Sequence, residues 1–118
     1  MTVAVVAIFF AGMGVVALVK PAFIWAPFGV VPTTPGSRNE VRAVYGGFGL
    51  AVAALLLGAD SATAAFRDGV LVSVAVALGG MAAGRVLSAL VEPKALFGWP
   101  GFFLLVEAGL AGLLLAAR

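Results

Sequence analysis

The residue pattern predicts an all-α fold: a four-helix transmembrane bundle, integral to a membrane. Three observations carry that expectation. Apolar residues make up 64% of the 118-residue chain and charged residues 10%, against about 45–50% and about 25% in ordinary soluble domains. The apolar residues arrive in four long runs, and mean hydropathy is +1.21. On a water-exposed surface each run would form a large adhesive patch, whereas roughly 20 apolar residues in a helix cross about 30 Å of hydrocarbon.

The first predicted helix covers about residues 2–19. Thr2–Val19 carries no charge and stops at Lys20-Pro21. It lacks a basic leading segment and has no small-residue cleavage site after it, so it reads as a retained membrane helix rather than a signal peptide. Residues 20–37 follow as an interfacial loop. Pro21, Pro27, Pro32 and Pro35 forbid a regular helix there, and Phe23, Trp25 and Phe28 suit the headgroup region.

The second helix is predicted over about 38–57, with Gly58 as a glycine stop. Ser37-x-x-Glu40 has the spacing of a capping box, in which Glu40 would reach back to the Ser37 amide. The third helix is predicted over about 68–91, closed by Glu92-Pro93, and the fourth over about 100–117. In lipid a backbone must satisfy its own hydrogen bonds, so the many Gly, Ala and Val residues do not argue against helix. All four helices fall in a single transmembrane domain spanning residues 1–118. The string Ala17-Leu18-Val19-Lys20-Pro21 recurs as Ala89-Leu90-Val91-Glu92-Pro93, the pattern expected of two duplicated hairpins.

Composition also narrows the chemistry. The chain has no cysteine and no histidine, which removes disulfides, thiolate chemistry and histidine-ligated metals or haem. No cofactor and no metal site is expected. The net charge of +2 is small, and no basic run interleaves with aromatics, so nucleic acid is not an expected partner. The expected partners are the lipid bilayer and either a larger membrane complex or further copies of the chain.

Ionisable groups inside membrane helices are costly and mark candidate sites. Helical alternation places Glu40 and Arg42 at the start of helix 2, on the side of the membrane away from the termini. Arg85 lies seven residues before Glu92, and Glu107 seven after Pro100, each about 10 Å deep from that same side. Glu107 sits among Phe103, Leu104, Leu110 and Ala111, and Arg85 at matching depth on the neighbouring antiparallel helix is its natural partner. That pair reads as a structural clamp or as part of a ligand site. A helical wheel puts Arg42, Tyr45, Gly46 and Gly49 on one face, with Glu40, Val44 and Gly47 nearly opposite. The candidate ligand-binding residues are therefore Asn39, Glu40, Arg42, Tyr45, Arg85 and Glu107, with no catalytic residue. Gly80-x-x-x-Gly84-x-x-x-Ser88 and Ala108-x-x-x-Gly112 are small-residue stripes expected to serve packing within the chain, with a dimer seam as the alternative.

The stretch Asn39-Glu40-x-Arg42-x-x-Tyr45-Gly46-Gly47, with Gly84-Arg85 and Glu107 in later helices, resembles a family of small bacterial four-helix membrane proteins near the DoxX-like group. That family is described only as a domain of unknown function. The likeness covers nearly the whole chain and implies architecture and a polar cluster, not an activity. DoxX-like proteins include subunits of quinone-linked oxidoreductases, but no redox ligand in this chain carries that activity over.

The functional expectation is a non-catalytic accessory or assembly subunit of a membrane complex. The alternative is binding or transport of a small amphipathic or anionic ligand in a polar pocket formed by Arg42, Tyr45, Arg85 and Glu107. An acid–base enzyme acting on a lipid-like substrate through Glu107 or Glu40 is a third, weaker reading. The expected location is the bacterial cytoplasmic membrane. Lys20, Arg38 and Lys94 against Arg67 and Arg118 tilt the termini to the outside.

Overall fold

The computed structural model describes residues 2–118. Helices dominate, and no strand occurs among the described residues. In chain order they are α1 (Thr2–Val19), the single turn α2 (Ala22–Trp25), α3 (Pro35–Ala59), α4 (Ala64–Val91) and α5 (Trp99–Ala116). Short 3₁₀ turns occupy Ala26–Phe28 and Pro93–Leu96. Helices α1, α3, α4 and α5 are each long and apolar enough to cross a membrane. At 1.5 Å per residue, α1 and α5 measure about 27 Å and α4 about 42 Å, so α4 is longer than the about 30 Å of hydrocarbon in a typical bilayer.

The boundaries differ from the expected ones where local chemistry overrides hydropathy. Helix α3 begins at Pro35 rather than near residue 38. Thr34 is its N-cap, accepting from the Ser37 amide at 3.0 Å, while Ser37 Oγ accepts from the Thr34 amide. The capping box is thus Thr34/Ser37 and not Ser37/Glu40. Pro35 at the first helical position explains the shift, because its fixed φ suits a helix start and its missing N–H is not needed there. Gly58 is no helix stop either: α3 runs through it to Ala59, and the following Asp60 has φ −66°. Only Gly29 and Gly98 take positive φ among the described residues, 74° and 78°; Gly98 makes the sharp entry into α5.

Residues Arg42–Gly47 of α3 are π-helical, with the Phe48 amide donating to the Ala43 carbonyl five residues back. Such single-turn widenings interrupt a regular helix locally and often mark functional positions.

The chain resolves into two compact units, Val3–Ser61 and Ala62–Arg118. In the first unit α1 and α3 run antiparallel. A Cβ added at Gly49 would come within 2.9 Å of the Phe10 carbonyl, one at Gly14 within 2.9 Å of the Gly46 carbonyl, and one at Gly46 within 2.9 Å of Leu18. The three glycines let the two backbones approach as small residues do in membrane helix pairs. Gly46 and Gly49 therefore serve close helix contact and Tyr45 is half-buried, while Glu40, Val44 and Gly47 are exposed; Arg42, which the helical wheel puts on the Gly46 face, is exposed as well.

In the second unit α4 packs against α5. The inward face of α4 carries Leu71, Ala75, Leu78 and Ala82, and that of α5 carries Glu107, Leu110, Ala111 and Leu114, each at three-and-four spacing. The stripes expected to pack lie elsewhere. A Cβ added at Gly80, Gly84 or Gly112 would have open space, and Ser88 and Ala108 are exposed. Gly80 and Gly84 are each two residues past a buried position, which is about 200° around the helix.

The contrast between the glycines is testable. Replacing Gly49 by Val should lower the stability of the protein in detergent by about 1–3 kcal/mol through overpacking. Gly84→Ala should be neutral, or stabilising by up to about 1 kcal/mol. Titration with dodecyl sulfate, followed by circular dichroism, checks both; equal losses at the two positions would refute the glycine interlock.

Candidate functional site

The polar side chains that hydropathy isolates fall into two groups, one in each unit. In the second, Arg85 is carried inward by the same spacing that buries α4, three residues after Ala82 and seven after Leu78. Glu107 belongs to the buried face of α5 and is 3% exposed, the one buried charged residue among those described. Arg85 Nε donates to Glu107 Oε1 at 2.6 Å and Nη2 to Oε2 at 3.0 Å. The pair is therefore bidentate, the geometry that matches a planar guanidinium to a carboxylate. The Arg85 guanidinium also lies 5.8 Å from the centroid of the Phe103 ring, one turn before Glu107. Arg85 retains 26% side-chain exposure, against 4% for Glu107.

Energetically the arrangement is one-sided. Taking a carboxylate and a guanidinium from water costs several kcal/mol each, and only good geometry offsets this. The pair adds little net stability over a well-packed apolar pair of equal size, but losing one partner leaves the other buried and uncompensated.

In the first unit, Arg42 Nε donates to the Leu18 carbonyl at 3.2 Å. Leu18 is in the last turn of α1, where carbonyls lack helical partners and the helix dipole favours a cation. Arg67 does the same for α5, with Nη1 donating to the Ala117 carbonyl at 3.0 Å. Tyr45 is half-buried, and Asn39 and Glu40 are exposed. The structure thus unites Arg85 with Glu107, and takes Arg42 to Leu18 rather than to Glu40.

The antiparallel register settles depth within the first unit. Phe10 lies beside Gly49, Gly14 beside Gly46 and Leu18 beside Arg42. Two residues further, Lys20 is level with Glu40. Glu40 and Arg42 accordingly sit at the end of the apolar run, not inside it.

Sequence reasoning missed Thr34 and the two helix-end carbonyls that Arg42 and Arg67 engage. Thr34 was hidden by a proline-rich loop, although Thr-Pro with Ser at the third helical position is a readable helix start. The carbonyl partners of Arg42 and Arg67 leave no trace in side-chain pattern. Phe103, which helical spacing places beside Glu107, also lies against the Arg85 guanidinium.

Along its whole length, residues 1–118, the chain matches the model of a family described as Domain of unknown function (DUF4345). The chain belongs to this family. No curated protein and no solved structure matches it. The finding agrees with the resemblance at the level of a family of unknown function, and the contacts above are what this DUF4345 protein offers for a functional reading.

The ion pair predicts a large asymmetric effect. Arg85→Met should destabilise this DUF4345 protein by about 3–5 kcal/mol, the range for a buried charge stripped of its partner. Unfolding in mild detergent measures it; a loss below about 1 kcal/mol would show that Glu107 does not depend on Arg85.

Proposed function

We propose that this DUF4345 protein is a multi-pass component of the bacterial cytoplasmic membrane. It acts there as a non-catalytic subunit, packing against a larger assembly or against copies of itself. The observation that carries this reading is how the polar side chains of the helices are used. Arg42 holds the end of α1, Arg67 the end of α5, Arg85 and Glu107 hold each other, and Thr34, Ser37 and Thr63 cap helix starts. These groups maintain the chain's own structure.

The outward faces supply the second support. Gly79, Gly80, Gly84, Gly109 and Gly112 lie off the α4–α5 contact, with room for a Cβ at each, and each costs about 1 kcal/mol relative to Ala in a helix. Glycine-lined faces of this kind suit the close approach of another membrane helix. Kinship with the DoxX-like group, whose members include subunits of larger complexes, is part of the same proposal and draws on the Asn39–Gly47 stretch.

An alternative reading, binding of a small anionic or amphipathic ligand, draws on the exposure of Arg85. A guanidinium with 26% of its side chain accessible beside an aromatic ring is able to receive an anionic group.

Purification of the tagged chain in mild detergent, with its mass measured by light scattering, tests the subunit reading. The expected species is larger than the 11.8 kDa chain after subtraction of detergent, either an oligomer or a complex with other proteins. A lone monomer at all protein concentrations would contradict it.

A further inference from the structure

Three cations lie at one end of the α1–α3 unit, and among the described residues none of them is in an ion pair. Arg38 and Arg42 are four residues apart on α3 and linked by a backbone hydrogen bond between the turns that carry them, so they share a face. Arg42 is held beside Leu18, two residues before Lys20. Glu40 lies between the two arginines in sequence but is exposed, and among the described residues it forms no ion pair with Lys20, Arg38 or Arg42. Like charges at four-residue spacing modestly destabilise an isolated helix, so the cluster favours a bound anion.

Depth and surroundings identify that anion. Lys20 is level with Glu40, where the apolar run of α1 ends, and the rise from Arg42 to Arg38 is about 6 Å. A leaflet's polar headgroup layer is about 5–8 Å thick. The three cations therefore span the layer in which lipid phosphates lie. Aromatic residues of the following segment occupy the same zone. Lys20 Nζ lies 5.1 Å from the Phe23 ring centroid, and Phe23 is 60% exposed, an aromatic placement typical of the interface. Two of the three side chains are also oriented in advance. Arg42 is held by the Leu18 carbonyl at 3.2 Å, and Arg38 by the Pro32 carbonyl at 3.4 Å. Each uses one N–H in this contact, and a guanidinium has five.

We propose that Lys20, Arg38 and Arg42 form a phosphate-binding site for the headgroup of an anionic phospholipid. The arginines present planar donors to the phosphate oxygens, as guanidiniums do in phosphate recognition. Lys20 adds a mobile point charge, and Phe23 lies along the acyl–headgroup boundary. The inference rests on the membrane-embedded reading above but not on the subunit role.

Trp25 is five residues from Lys20, and Trp99 is the other tryptophan of the chain. In a Trp99→Phe background, Trp25 fluorescence reports lipid at this site. The chain is reconstituted in phosphatidylcholine vesicles containing either brominated phosphatidylglycerol or brominated phosphatidylcholine at equal mole fraction. The phosphatidylglycerol should quench Trp25 more strongly, and its relative association constant should fall about five-fold for each of Lys20→Gln, Arg38→Gln and Arg42→Gln. Arg42→Lys should keep most of the preference, because the charge remains, and circular dichroism confirms that each variant is folded.

Equal quenching by the two lipids in the parent chain would overturn the site, as would an undiminished preference in the folded glutamine variants. Relief of phosphatidylglycerol quenching by millimolar inorganic phosphate at constant ionic strength would assign the site to free phosphate and overturn the lipid. Absence of quenching by either lipid would remove the membrane-embedded reading itself, and this proposal with it.

Discussion

Glu107 imposes the constraint on which the second unit depends. A carboxylate with 3% exposure among Leu110, Ala111 and Leu114 is tolerable only where a cation reaches it with both oxygens satisfied. Arg85 does so across the α4–α5 contact, and that requirement settles the register of one helix against the other. The Arg67–Ala117 contact follows as the second point of the same antiparallel alignment, 18 residues earlier on α4 and ten later on α5.

The first unit solves the same packing problem without charge. Gly14, Gly46 and Gly49 let α1 and α3 approach until backbone nearly meets backbone, and the guanidinium at the end of that seam, Arg42, takes a helix-end carbonyl. One unit thus depends on missing side chains and the other on two charged ones. Both satisfy the rule that a polar group in apolar surroundings must find a partner within reach. Lys20 and Arg38, which among the described residues are in no ion pair, stand where this rule relaxes, at the end of the apolar run.

Much of this was legible in the sequence, and the limits have physical causes. The four long helices follow from uninterrupted apolar length. Arg85 and Glu107 could be paired by counting from Glu92 and Pro100, because an antiparallel hairpin converts equal distance from the turn into equal depth. The π-helical turn at Arg42–Gly47 was not legible; it has no hydropathy signature, and the Gly46-Gly47 pair that accompanies it is common in regular helices of this composition. The placing of the glycines was half legible. Those at 46 and 49 sit on the inward face, while those at 80 and 84 sit outside, since periodicity alone does not say which of two small-residue faces meets a neighbour. The start of α3 was misplaced because hydropathy rises only after Arg42, whereas capping by Thr34 and Pro35 acts on the backbone two turns earlier.

The central claim is that Arg85 and Glu107 serve each other rather than an external partner. A double-mutant cycle on the unfolding free energy, pairing Arg85→Met with Glu107→Leu, tests it most directly, because a coupled pair gives non-additive losses. The account predicts that the double variant regains most of the stability lost by either single variant, since an apolar pair of similar volume replaces a buried ion pair with little net cost. Additive losses in the double variant would contradict it, and would mean that each side chain answers to something other than its partner.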